Sequence, residues 1–138
     1  MRYFEVNPEV PAELGDLTVM ENKDGARLII HKLHLNFKGW LGGDLMETTP
    51  VFYITEKLKQ GLIKHAFTGI QAFEPVEYEI DDEYTGSVKP GVIYWLKING
   101  KSMHDDFGID EGVLIVSEKA LNFLKQYNLS DAEIVEKS

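Results

Sequence analysis

The stretches VFYITEKLKQGL, Val51 to Leu62, and VLIVSEKALNFL, Val113 to Leu124, repeat one pattern at a spacing of 62 residues. Both carry an apolar run, a hydroxyl residue, Glu-Lys, and a leucine seven positions after the hydroxyl. Superposing Thr55 on Ser117 also pairs Glu56 with Glu118, Lys57 with Lys119, Phe67 with Leu129 and Glu74 with Glu136. A hydroxyl that closes an apolar run and precedes Glu marks a helix start. Its oxygen accepts from the free amides of the first turn, and the Glu sits at the positive end of the helix dipole. Leu58 and Leu62, like Ala120 and Leu124, lie four apart and give each helix an apolar stripe. Each copy therefore reads as strand, capped helix, short loop, strand. Ser117 beside Lys119 is a cap rather than a nucleophile, because its oxygen is committed to backbone amides and Thr55 stands at the same place in the other copy.

Around this unit, strand patterns occur at Arg2 to Val6, Leu17 to Glu21, Ala26 to Phe37, Val51 to Ile54, Val76 to Ile80, Val92 to Ile98 and Val113 to Val116. In the long third pattern Ile29, His31, Leu33, Leu35 and Phe37 share one face and Lys32, His34, Asn36 and Lys38 the other, with His31 at the edge of the core. NKDG reads as a turn, and Asn99-Gly100 has the residue types of a two-residue type I′ hairpin. The expected fold is α+β over residues 1–138 as one domain: a mixed, mostly antiparallel twisted sheet, two main helices at about Thr55 to His65 and Ser117 to Tyr127, and the quasi-repeated strand-helix-strand unit. A chain of 138 residues buries about two thirds of its unfolded surface, enough for a core without metal or disulfide.

Charge narrows the partners. Fourteen basic against 23 acidic residues give a net charge of −9, which disfavours phosphate backbones and favours a basic protein partner. No cysteine is present, the N-terminal stretch lacks the apolar run of a secretory signal, and no membrane-length apolar segment occurs. A cytoplasmic protein with neither nucleic-acid nor membrane partner is expected, its oligomeric state left open.

The catalytic candidates are thin. His31 and His34 are three apart, which in one strand places them on opposite faces and prevents a shared metal. His104, followed by Asp105 and Asp106, is the best acid–base candidate, yet it stands in a polar Gly-containing loop. No phosphate loop, nucleophile elbow or His-Glu-x-x-His helix occurs. No catalytic residue, metal or cofactor is expected. For binding, Glu74, Glu77, Glu79, Asp81, Asp82 and Glu83 run without an intervening Lys or Arg and lead into Tyr84. Strand alternation sends Glu77 and Glu79 to one side, a surface that would steer a basic partner. The plain alternative is a solvated strand face. Trp40, in KGWLGG, is a second candidate anchor.

The segment Gly39 to Glu79, with Gly39-Trp40, Asp44, Thr55-Glu56, Gly69, Phe73, Pro75 and Val76, followed by Asp105 to Glu136 with Ser117-Glu118, resembles bacterial polymorphic-toxin immunity proteins of the immunity-11-like group. Members tend to carry a Trp-containing Gly/Asp segment, a V-S-E helix start and a G-x-x-F-x-P-V strand. The resemblance implies a protein that binds a cognate secreted toxin and blocks it, not an enzyme. Two other readings stand beside it: an adaptor or chaperone-like module for a secreted protein, and a small hydrolase using His104 and Asp106.

Overall fold

The computed structural model describes residues 2–23, 27–83 and 89–137. Its fold is α+β with two helices, and the repeated sequence becomes a repeated structure. In the first copy β6 (Leu45–Thr48) and β7 (Val51–Thr55) form a hairpin that runs directly into α1 (Glu56–Ile63). In the second, β10 (Phe107–Asp110) and β11 (Val113–Ser117) do the same into α2 (Glu118–Leu124). Thr55 and Ser117 are the N-caps, their side chains accepting from Leu58 N and Ala120 N.

Each hairpin then gains two strands in one order. β9 (Ile93–Ile98) lies between β7 and β8 (Ile70–Ile80), as β1 (Tyr3–Asn7) lies between β11 and β12 (Glu133–Lys137). Thr55 is opposite Ile93 and Ser117 opposite Tyr3, so the registers agree. In the outer strands the match slips by one residue. Phe73 and Ile134 occupy equivalent places, opposite Leu96 and Val6, so the sequence pairing of Glu74 with Glu136 does not hold in space. A β-bulge between Ile70 and Ala72 interrupts the regular register of β8. The first unit is extended by β5 (His34–Phe37), parallel to the distal half of β8, and by the short β2 (Ala12–Leu14), giving a mixed six-stranded sheet β2-β5-β8-β9-β7-β6 beside the antiparallel β10-β11-β1-β12.

The two units interlock by exchange. Asp44 Oδ1 accepts from the cap hydroxyl of Thr55 at 2.7 Å, while its Oδ2 accepts from Asn128 N, beyond the other unit's helix, at 2.8 Å. Asp106 repeats this with Ser117 Oγ at 2.7 Å and Thr68 N at 3.0 Å. Lys57 reaches over the Tyr127 ring and Lys119 over the Phe67 ring. At the crossing, Gly61 meets its own equivalent, Phe123; a Cβ there would overlap Tyr127 Oη and press on the Phe123 ring. One core, with Leu58, Leu62, Leu121 and Leu124 from the helices and Phe4, Val6, Phe52, Ile54, Leu114 and Val116 from the strands, serves both units. A second core, on the opposite face of the six-stranded sheet, holds Leu35, Phe37, Tyr53 and Ile93.

Three local expectations are corrected. The strand expected from Ala26 to Phe37 is two, β4 (Arg27–Lys32) paired with β3 (Val19–Lys23) in a separate hairpin, and β5. Leu33 separates them as the chain passes from one sheet to another. Consequently His31 is exposed and pairs with Glu21 at 2.9 Å, whereas His34 is buried beneath the Gly15 to Thr18 turn, with Thr18 Oγ1 donating to its carbonyl. Asp24 and Gly25 of the expected NKDG turn lie outside the described residues. Asn99-Gly100 is no hairpin turn either: both amides donate to the Gly69 carbonyl, because β9 and β10 belong to different sheets. Among the described residues the two-residue turn with both positions at positive φ is Glu111-Gly112, at 51° and 82°, between β10 and β11. Among the described residues no helix is long and apolar enough to cross a membrane.

Candidate functional site

β8 carries Glu74, Glu77 and Glu79 of the acidic run, and Asp81, Asp82 and Glu83 follow its end. Its proximal half pairs with β9 and its distal half with β5, and period-two alternation sends Tyr78 and Ile80 to the second core while Glu77 and Glu79 are exposed. Six carboxylates do not act alike here. Glu74 is paired with Lys97, whose ammonium also lies over the Trp95 ring. Asp81 binds Lys38 at 2.5 Å and also accepts from Glu83 N. The hydrogen bond from Lys38 is the main cause holding the Asp81 carboxyl below its ordinary value, and Asp81, then Glu13, hold the lysine above its own. Glu77, Glu79, Asp82 and Glu83 are exposed with no cation within salt-bridge reach among the described residues. Tyr84 lies outside the described residues.

Lys38 connects this strand to Trp40. It opens a loop, residues 38–44, that is fixed from several directions. Lys38 N and Gly39 N donate to the Pro11 carbonyl, Trp40 Nε1 donates to the Gly43 carbonyl at 3.0 Å, and Asp44 N donates to the Asn128 carbonyl. Inside the loop sits Glu9, 8% exposed, whose two carboxylate oxygens accept from Leu41 N at 2.6 Å and Gly43 N at 3.0 Å. The Trp40 ring is half-buried against the second core and forms one wall of an open pocket of about 540 Å³ with Glu9, Lys38 and Asp131. Val10 and Leu41, 64% and 70% exposed, stand at its rim. Lys38 touches both regions singled out in the sequence, as part of the pocket wall beside Trp40 and as the partner of Asp81.

Sequence reasoning missed Glu9, Val10, Lys38 and Leu41. The available signal was two apolar residues, Val10 and Leu41, each next to Pro or Gly in loops where solvent contact favours polar side chains. It also missed a groove of about 450 Å³ between the β3–β4 hairpin and the sheet, lined by Leu28, Ile30, Trp95 and Lys97.

The acid–base candidates separate. His104 is exposed and its ring nitrogen is 3.8 Å from Asp105. Asp105 is held below its ordinary value chiefly by the backbone N–H of Lys101. Asp106 spends its carboxylate on Ser117 Oγ and Thr68 N, which makes it a tie between the units rather than a free base beside His104. Among the described residues no group of three or more His, Asp or Glu side chains has the geometry to hold a metal ion. Comparison of the chain with protein-family models, with curated proteins and with solved structures finds no significant match.

Proposed function

We propose that this protein binds and neutralises a basic protein toxin, using the face that runs from the distal half of β8 through Asp81 and Lys38 to the Trp40 pocket. The observation that carries this reading is the link that Lys38 and Asp81 make between two complementary features: exposed Glu77, Glu79, Asp82 and Glu83, and a preformed aromatic pocket with an apolar rim. Unpaired carboxylates accelerate encounter with a basic partner, and a rigid aromatic pocket supplies the anchoring contact that slows dissociation. Loop 38–44 is already hydrogen-bonded into place, so little ordering entropy is spent on binding. That the partner is a toxin comes from the motif resemblance, which Gly39-Trp40, Asp44, Gly69 and the two helix starts carry.

The test is charge reversal at Glu77, Glu79 and Asp82, leaving Asp81 with Lys38. The triple lysine variant stays folded, associates at least tenfold more slowly with the toxin encoded beside this gene, and fails to protect cells expressing that toxin. In the wild type, association slows with salt as the Debye length falls from about 10 Å at 0.1 M to about 3 Å at 1 M. A folded variant that binds at the wild-type rate and still protects sinks the proposal, as does a wild type that protects against no neighbouring toxin.

A further inference from the structure

The pocket beside Trp40 has a property that the charge of β8 does not account for. Glu9 is a carboxylate with 8% of its surface exposed, and Asp131 is a second one on the pocket wall. Among the described residues neither meets a Lys, Arg or His within salt-bridge distance. Lys38, which also lines the pocket, gives its ammonium to Asp81 at 2.5 Å and Glu13 at 3.3 Å. Buried charges are ordinarily paired. The two amides on Glu9 leave each of its oxygens a second lone pair. Beside it stands an indole fixed in orientation by its own hydrogen bond to Gly43 O.

We propose that this pocket is the anchor site for an arginine side chain presented by the partner. The guanidinium lies against the Trp40 ring and directs its N–H fork at Glu9 and Asp131, while Val10 and Leu41 close over the aliphatic stem. Arginine fits better than lysine because a planar guanidinium stacks on an indole and donates two hydrogen bonds side by side, whereas an ammonium does neither. A volume of about 540 Å³ takes one such side chain with bridging water. The inference rests on reading this face as a partner-binding surface and adds the chemistry of the group it selects; it does not require that the partner be a toxin.

The test uses the full chain and a probe independent of any toxin. The peptide acetyl-Gly-Arg-Gly-amide is titrated against the isotopically labelled protein while the indole N–H signals of Trp40 and Trp95 are followed. The citrulline peptide, equal in shape and lacking the charge, and the lysine peptide serve as comparisons. Expected is a saturable shift confined to Trp40, with a dissociation constant on the order of millimolar for one side chain, at least tenfold weaker for citrulline and severalfold weaker for lysine. Asp131→Asn, at an exposed position, weakens arginine binding at least threefold with the fold intact, and Glu9→Gln weakens it further. No saturable shift in the millimolar range, equal shifts with arginine and citrulline, or equal responses at Trp40 and Trp95 overturns the assignment. Since no toxin enters the titration, failure of the toxin reading does not touch this result, and loss of arginine binding does not touch the charge-reversal result.

Discussion

Replacing Asp44 by Ala tests the interlocking of the two units. Its side chain is buried, 6% exposed, and holds the cap hydroxyl of its own helix at 2.7 Å and the Asn128 amide at 2.8 Å, 84 residues away. Hydrogen bonds to a charged group contribute about 1.5–3 kcal/mol each, so losing two costs about 3–6 kcal/mol, toward the upper end where the orphaned donors stay dry. That is a large part of the roughly 5–15 kcal/mol that stabilises a domain. Asp44→Asn keeps one good acceptor and should lose about half as much. Urea denaturation followed by circular dichroism reads the size, and amide hydrogen exchange reads the place. Asp44→Ala should deprotect Asn128, in the loop after α2, while Asp106→Ala deprotects Thr68, in the loop after α1. A double-mutant cycle with Thr55→Ala should show coupling of about 0.5–3 kcal/mol. A loss below about 1 kcal/mol, or deprotection of Thr68 instead of Asn128 in Asp44→Ala, refutes the exchange.

Gly69→Ala should be strongly destabilising: φ is 97° and a Cβ would overlap the Phe107 carbonyl oxygen, so the left-handed backbone alone costs about 1–2 kcal/mol before the clash is relieved; an unchanged melting temperature argues against this geometry. Leu62→Ala and Leu124→Ala each remove a buried side chain from the shared core and should each lower stability by about 2–5 kcal/mol, read from urea midpoints. Lys38→Met should let the Asp81 carboxyl rise toward its ordinary value of 3.8, followed by NMR titration. Because the fold lowers that carboxyl, the stability it contributes is present above pH 3.8 and lost as pH falls through the lowered folded value, so the variant should have a shallower acid limb; an unmoved Asp81 titration refutes the pair.

What was legible in the sequence was local. Thr55 and Ser117 declare helix starts because a cap is a contact between neighbours in the chain, and both helices begin where that chemistry puts them. The alternation of Glu77, Tyr78, Glu79 and Ile80 was readable because period two follows from strand geometry alone. The hairpin strands Leu45–Thr48 and Phe107–Asp110 were not read, since four residues with a single turn dipeptide carry little pattern. Asn99-Gly100 misled in the other direction: its composition suits a tight turn, but the chain there leaves one sheet for another and its amides are taken by Gly69. Glu9 could not have been found by local reasoning, because what gives it meaning, the loop carrying Leu41 and Gly43, begins some thirty residues on and is closed by a tertiary contact.

The duplication itself separates structural residues from the candidate site. Whatever recurs in both units has a packing reason visible twice: the capping hydroxyl, the carboxylate behind it, the leucines of the helix stripe, the lysine over the opposite ring. Asp44 in the Trp-containing segment and Ser117-Glu118 at the helix start, which look like signature residues in the sequence, belong to this class, so their presence in a motif is explained by folding and does not by itself mark a binding site. The features found in only one unit have no such explanation. They are the distal half of β8 with Glu77 and Glu79, the β5 strand that pairs with it, the loop with Trp40 and Leu41, and Glu9 beneath that loop. All lie on the first unit, and they adjoin one another through Lys38 and Asp81. Among the described residues Glu9 meets no Lys, Arg or His within salt-bridge distance, so a cation brought by a partner would find there a carboxylate already oriented by the Leu41 and Gly43 amides.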